Sequence, residues 1–349
     1  MRLSNYGWNA YWAASAETLG FERQRLGRVA AVHRNACELE TELGRFPAKW
    51  TPRLESPAIG DWAVWSFVSP TERWVTLSEL LPRKSEMVRK AVGPSGAQVL
   101  ATNVDRVLIA TSMNEEFNPS RLERYLAMAW QSGAAPVLVL TKGDLCTDPQ
   151  AYLTRAESLA PGVDIHAVSA RDGVGVDALE PYLVSGVTSA LVGSSGVGKS
   201  TLVNRLLGRE VQKTNEVRAD DQRGRHTTTN RSMFSLPQGG VLIDTPGLRE
   251  LGLWAEASVL GTVFGEIDDL SEACRFRDCS HGDEPGCAVR RALETGVLET
   301  RRLESYRKLQ KELDSLAART DPSARQRQKQ QMKSLSKLVR REQRRKNRY

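Results

Sequence analysis

Residues 193–201 read "GSSGVGKST" and fit G-x4-G-K-S followed by Thr. Gly193, Ser194, Ser195, Gly196, Val197 and Gly198 are small enough for their backbone N–H groups to curl around a phosphate. Lys199 would reach the β and γ oxygens, and the Ser200 hydroxyl would ligate Mg²⁺; Thr201 completes the nucleotide-binding segment. The apolar run "SALVG" precedes it and "KSTLVNRLL" follows it, so the loop lies between a strand and the N-terminus of a helix. Asp244 ends the next apolar strand, in "VLIDTPG". A carboxylate there holds a Mg²⁺ water, and the Gly247 N–H meets and senses a γ-phosphate.

Between these two motifs runs the polar loop "ADDQRGRHTTTN", residues 219–230, with the character of a switch. Thr227 or Thr228 would complete the metal shell, and the register favours Thr228. Many GTPases place Gln after the DxxG glycine to orient water, but here that residue is Leu248. His226 is the nearest candidate for the catalytic role.

A base-reading element lies upstream, in "VLVLTKGDL", residues 137–145. Asp144 would accept from guanine N1–H and the 2-amino group. Adenine lacks both donors, so an ATP reading is disfavoured. The Lys142 stem would lie along the base. Thr141 replaces the Asn of the usual N-K-x-D motif and retains one loop-tying hydrogen bond. "VSA", residues 168–170, supplies a second loop, with the backbone N–H groups of Ser169 and Ala170 as candidates for guanine contact.

Base reader first and phosphate loop second is the order of a circularly permuted GTPase domain. A sheet tolerates new ends where the old termini lie close together. The permutation puts the flanking segments next to functional loops, which would couple nucleotide state to them. Strands such as "DRVLIATS" and "APVLVLTK" alternate with helical segments such as "PSRLERYLAMAWQSG", predicting a mostly parallel sheet with helices on both faces. In that helix Leu122, Tyr125, Leu126, Ala129 and Trp130 form the expected apolar stripe. Residues 148–160 and 176–184 read as further helices.

The flanks are of two kinds. Residues 25–90 hold short β-type runs ("GRVAAVH", "ACELETEL", "PAIGDWAVW", "RWVTLSELLP") that suggest a small β-barrel. Arg28, Arg34, Arg45, Lys49, Arg53, Arg83, Lys84, Arg89 and Lys90, with Trp50, Trp62 and Trp65, would suit an RNA-facing surface. For most of them core tryptophans and ordinary surface cations are the simpler reading. On the C-terminal side, Cys274, Cys279, His281 and Cys287 are spaced C-x4-C-x-H-x5-C. Three thiolates and one imidazole fill a tetrahedral Zn²⁺, the composition of a structural site. Unligated cysteines and an iron–sulfur site are the alternatives. "LETRRLESYRKLQKELDSLAART" then has Leu303, Tyr306, Leu309, Leu313 and Leu316 at helical spacing.

Bulk composition agrees with a soluble multidomain protein: 349 residues, 40% hydrophobic, 26% charged. No apolar run is long enough for a membrane span, and no secretory signal is legible, so the expected location is the cytosol, without a membrane partner. Residues 323–349 carry eleven Lys/Arg against one Glu, a net of +10, so the preceding 322 residues carry −3 of the whole chain's +7. A tail of that kind suits a polyanion such as RNA, or stays solvated.

Barrel, permuted GTPase and Cys3His module in this order resemble the RsgA (YjeQ) family of ribosome-dependent GTPases. "TKGD", "VSA", "GSSGVGKST", "GRHTTT", "DTPG" and the cysteine cluster carry the resemblance. It implies an OB-fold at residues 25–92 after an extension at 1–24, and the permuted P-loop GTPase domain at 98–254. A helical zinc-binding domain at 255–322 and the basic tail at 323–349 would follow. It further implies a monomeric GTP hydrolase with Mg²⁺ and one structural Zn²⁺, acting late in maturation of the 30S subunit. That enzyme would contact 16S rRNA near the decoding centre, be stimulated by the 30S subunit, and leave on hydrolysis to GDP. His226 would correspond to a histidine implicated in hydrolysis, and Thr228 to the switch threonine. A signalling or transport GTPase, and a zinc-dependent RNA-binding protein with a vestigial GTPase, are the competing expectations.

Overall fold

In the computed structural model the described residues are 3–68, 73–90, 97–211, 232–244, 258–282 and 284–320. The chain forms two compact units, Met1–Gly252 and Leu253–Tyr349.

The first unit begins with a 3₁₀ turn, Leu3–Tyr6, and helix α1, Ala10–Thr18, capped by the Asn9 side chain on the Trp12 N–H. These residues are not a loose extension. Leu3, Tyr6, Trp8, Trp12 and Ala16 are buried against Leu26, Trp62 and Leu81. A closed barrel follows from β1 (Leu26–Val32), β2 (Cys37–Thr41), β3 (Gly44–Trp50), β4 (Trp62–Phe67) and β5 (Val75–Leu80), in the order β1-β2-β3-β5-β4. Strand β3 is parallel to β5 and the other pairs are antiparallel, the closed Greek-key arrangement of an OB-fold. Strands β6 (Glu86–Lys90) and β7 (Ala97–Thr102) pair with each other outside the barrel, although β6 falls inside the segment expected to be barrel.

Several cations considered for an RNA-facing surface are interior or paired instead. Trp62 and Trp65 are core, and Arg28 is fully buried. Arg45 pairs with Glu38 and Glu40, and Lys84 Nζ lies 2.6 Å from Asp105. Arg34, Lys49 and Arg53 are exposed, and Lys49 Nζ sits 4.9 Å from the centroid of Trp74.

Arg83 meets the fully buried Asp61 with two bonds of 2.9 Å. Asp61 also accepts from the Ala58 N–H and the Thr102 hydroxyl, each at 2.8 Å. Burial disfavours the charged form of Arg83, but the bonds to Asp61 outweigh it and hold the guanidinium above its ordinary pKa. Asp61→Ala would leave that cation without its main partner. The expected cost is about 3–5 kcal/mol, read from chemical denaturation; a loss below about 1 kcal/mol would show that the pair contributes little.

The second half of this unit is a six-stranded sheet, built from β8 (Arg106–Ser112), β9 (Ala135–Thr141), β10 (Asp164–Ala167), β11 (Thr188–Gly193), β12 (Ser232–Ser235) and β13 (Val241–Asp244). Its order is β10-β9-β8-β11-β13-β12, parallel except for the edge strand β12. Strands β8, β9, β11 and β13 are buried almost throughout, as parallel strands covered on both faces must be. Helix α2 (Pro119–Gln131) starts on the Asn118 cap and ends before Gly133 at φ 84°. It buries Leu122, Tyr125, Leu126 and Ala129, whereas Trp130, at the edge of that stripe, is 38% exposed. Helix α3 (Pro149–Leu159) is capped by Asp148. The segment Val176–Tyr182 is 3₁₀ rather than α, with Pro181 inside it. Helix α4 (Lys199–Leu207) ends at Gly208 in the left-handed conformation.

The second unit is helical: α5 (Ser258–Val263), α6 (Gly265–Glu272), α7 (Ala288–Glu294) and α8 (Thr300–Thr320). Leu303, Leu309 and Leu313 are buried, and Tyr306 meets Phe264 edge-on at 5.6 Å between centroids. Arg302 stacks on Phe264 and donates to Glu266 and to the Val263 carbonyl at the end of α5. Among the described residues no helix is long and apolar enough to cross a membrane.

Candidate functional site

The sheet brings the sequence motifs to one edge. Registers Ser112↔Thr141, Ala110↔Gly193 and Leu191↔Asp244 align the carboxyl ends of β8, β9, β11 and β13. From β8 the chain runs outward to β9 and β10, then crosses back to β11 on the other side. Ligands of open parallel sheets bind where the order reverses in this way.

The phosphate loop leaves β11 there. Gly193 has φ 150°, and a Cβ on it would lie 2.4 Å from the Ala110 carbonyl oxygen, so no larger residue fits. Gly196 and Gly198 have φ 75° and 96°. The loop passes directly into α4, whose first-turn N–H groups are free of intrahelical partners and suit an anion. Lys199 Nζ donates to the carbonyls of Gly193 at 2.8 Å and Ser194 at 2.5 Å, so its charge lies over the loop. Ser200 is half-buried in the first turn of α4, and Asp244 is buried at the end of β13. A hydroxyl and a carboxylate are the hard oxygen donors that suit Mg²⁺. His226, Thr227, Thr228 and Gly247 lie outside the described residues.

On the base side, Thr141 is buried and its hydroxyl lies 2.5 Å from the Val197 carbonyl and 3.2 Å from that of Thr111. With one proton to give, the shorter contact ties this strand end to the phosphate loop. Lys142 is left-handed at φ 62°, a conformation that costs a non-glycine residue about 1 kcal/mol or more. Bonds on either side hold it: Met113 N–H to Thr141 O at 3.0 Å and Gly143 N–H to Val168 O at 3.1 Å. The exposed Asp144 lies 3.0 Å from the Ser169 hydroxyl, whose one proton is shared with Asp172 at 3.1 Å, and the contact joins the two base-side loops. The Ser169 N–H donates to Val174 O at 2.9 Å, so of the two backbone candidates Ala170 remains for guanine.

Arg28, considered from the sequence only as a surface cation, reaches the same sheet from the barrel. Arg28 donates to the carbonyls of Tyr6, Gly60 and Asn103 and, at 2.8 Å, to the hydroxyl of Thr188, the first residue of β11. Burial pushes its pKa down to about 10, which leaves it charged at neutral pH. An isolated arginine in a β-type run carries no signal of this long-range role.

In the second unit Cys274, Cys279, His281 and Cys287 bring four ligand atoms within 4.8 Å of one another. Zn–S bonds of about 2.3 Å and Zn–N bonds of about 2.0–2.1 Å set tetrahedral edges of about 3.6–3.8 Å. The Cys274–Cys287 sulfurs are 3.9 Å apart, and each lies 3.7 Å from His281 Nδ1. The residues therefore fit the ion. The other ring nitrogen, Nε2, meets the Ser271 hydroxyl at 3.1 Å, and that hydroxyl donates to Ile267 O, which fixes the ring. Burial and the Arg307 charge hold His281 below its ordinary pKa and favour the neutral, ligating imidazole. Burial raises the Cys274 thiol, but N–H groups of Val289 and Ala288 and the neighbouring thiols bring its pKa below the ordinary value.

Comparison with known proteins places these features in a family. A family model described as RsgA GTPase matches residues 80–254, half of the chain, and one described as 50S ribosome-binding GTPase matches residues 188–346. A Streptomyces coelicolor protein, small ribosomal subunit biogenesis GTPase RsgA, is 46% identical over 332 residues, covering 93% of this chain and 90% of its own. Small ribosomal subunit biogenesis GTPase RsgA 2 of Lactiplantibacillus plantarum is 44% identical over 321 residues, covering 90% of each. The crystal structure of YjeQ from Thermotoga maritima superposes with a TM-score of 0.61 at 28% identity, covering 83% of this chain and 98% of that one. YloQ, titled a circularly permuted GTPase, shares the fold with a TM-score of 0.57 at 22% identity, over 83% of this chain and 95% of that one. With a barrel, a permuted phosphate-loop domain and a Cys3His cluster, this chain belongs to the RsgA family and is a GTP-hydrolysing enzyme.

Proposed function

We propose that this GTPase acts in late maturation of the small ribosomal subunit, with 30S stimulating hydrolysis and hydrolysis driving release. The observation that carries the reading is the similarity of nearly the whole chain to proteins named for biogenesis of that subunit. The barrel would contact 16S rRNA near the decoding centre. The protein would act as a cytosolic monomer and exchange GDP for GTP.

Within the site, Gly193–Thr201 would cradle the phosphates and Lys199 would neutralise the β and γ oxygens. Ser200, Thr228 and Asp244 would hold Mg²⁺ directly or through water, which supplies charge neutralisation at the transferring phosphate. Asp144, Lys142 and Ala170 would read guanine, with Thr141 and Ser169 holding the loops that carry them. Gly247 would sense the γ-phosphate, and His226 would position the attacking water. Cys274, Cys279, His281 and Cys287 would hold one structural Zn²⁺.

The test is GTP turnover by the protein alone, with 30S subunits, and with 50S subunits. A stimulation confined to 30S is expected. Equal response to both subunits, or none, would sink the assignment and favour a GTPase with another partner. Against the 30S-stimulated rate, His226→Ala is expected to lose about 10²-fold or more with GTP binding intact. An unchanged stimulated rate would remove His226 from the mechanism.

A further inference from the structure

We propose that Arg205 is a positioning residue for guanine reading, holding the second base-side loop from the helix that binds phosphate. The inference deepens the GTP-site reading above and rests on it.

Arg205 lies in α4, six residues after Lys199. The apolar face of this helix, with Leu202, Val203, Leu206 and Leu207, is buried, whereas Arg205 is exposed. Its guanidinium nevertheless has two defined acceptors in the loop after β10. Nε donates to Ala170 O at 3.1 Å, and Nη2 donates to Arg171 O at 2.6 Å. Gly173 closes the turn beneath it at φ 85°, and a Cβ there would lie 3.1 Å from Nη2. The turn is itself fastened by Gly173 N–H to Ser169 O at 2.8 Å and Ser169 N–H to Val174 O at 2.9 Å.

A planar, forked donor on two successive carbonyls fixes the peptide between them. The flanking Ala170 N–H is the backbone donor that the geometry leaves for the guanine O6. Arg205 touches no part of the base; it acts by setting the direction of that N–H. The contact complements the Thr141–Val197 bond, which runs the opposite way, from a base-side strand to the phosphate loop. Two side chains thus join the base side of the site to its phosphate side.

The test uses the full-length protein and two probes, GDP and 2-aminopurine riboside 5′-diphosphate, which keeps the 2-amino group but lacks both O6 and the N1 proton. Their affinities are measured for the unaltered protein, Arg205→Met and Arg205→Lys, each with a thermal melt. A charged donor at an exposed position predicts a loss of about tenfold for GDP in Arg205→Met. The 2-aminopurine probe should change by less than about twofold, since its binding does not use the oriented N–H. Lysine reaches one carbonyl and should restore part of the GDP affinity.

Equal losses for both probes would mean that Arg205 merely supports the fold near the phosphate, and no loss for either would mean an ordinary surface arginine. Both results overturn the proposal. Failure of the unaltered protein to prefer GDP over the 2-aminopurine probe would remove the guanine-reading assignment itself, and the proposal with it. That outcome is distinguishable because it needs no variant.

Discussion

Asp144→Asn should weaken GTP binding by about 10²-fold and turn the site toward xanthosine triphosphate. Two charge-assisted bonds from guanine N1–H and the 2-amino group to a carboxylate contribute about 1.5–3 kcal/mol each. Their combined loss corresponds to about 10²–10⁴-fold. The exposure of Asp144 places the expectation near the lower end. The Asn side-chain oxygen keeps the contact to the Ser169 hydroxyl, which lies 3.0 Å from Asp144, so the tie between the base-side loops survives. The loss is therefore one of recognition and not of loop order. Asn also adds an amide donor, which opposes the guanine 2-amino group but matches the 2-oxo group of xanthine. Competition of GTP and XTP against a fluorescent nucleotide checks both halves. A GTP affinity within threefold of the unaltered protein would exclude Asp144 as the guanine acceptor.

Cys287→Ala should remove the metal from the second unit and unfold the helices around it. Cys287 is buried, precedes α7, and accepts from the Arg290 N–H at 3.4 Å, so its sulfur caps the helix and would also ligate the proposed metal. The Cys274 sulfur accepts from the Ala288 N–H at 3.3 Å, which fastens the same helix start to the other side of the cluster. Structural Zn²⁺ contributes about 10–16 kcal/mol of apparent binding free energy in small zinc modules. A short helix such as α7, with 7 residues, has no stability of its own to replace it. The measurements are zinc stoichiometry and limited proteolysis. One zinc per chain, falling to none in the variant with new cleavage between residues 273 and 300, is the expected result. Retained zinc, or an unchanged digestion pattern, would remove the metal from the account of this unit. Loss of zinc on chelation with the same cleavage pattern would separate the effect of the metal from that of the substitution.

The parts of the fold written in contiguous residues were legible without coordinates. "GSSGVGKST" needs a strand before it and a helix after it, and β11 and α4 are there. The helices expected at "PSRLERYLAMAWQSG" and near 148–160 are α2 and α3, each started by a side-chain cap, Asn118 or Asp148, whose partner N–H lies three residues on. Where local signals compete, the reading weakened. Strand β3 contains Gly44 and Pro47, which read as turn residues, yet barrel closure between β2 and β5 holds it extended. Val176–Tyr182 carries helical periodicity, but Pro181 and its seven-residue length keep it 3₁₀.

Sequence alone determined the chemistry available to this protein: a phosphate loop, a carboxylate for a base, and four metal-ligating side chains at spacings that short-range geometry can satisfy. It also determined the permuted order, since order is read directly along the chain. Tertiary structure decided what the cations do and how the two halves of the site meet. Arg28, one of several basic residues in a β-type run, is buried with its bond to Thr188, 160 residues away. Thr141 reaches Val197 across 56 residues, and Arg205 reaches Ala170 across 35. Such contacts depend on the order β10-β9-β8-β11-β13-β12, which brings distant strand ends side by side. A local pattern specifies which way a residue faces on its own element, but a buried donor must find an acceptor wherever the packed fold provides one.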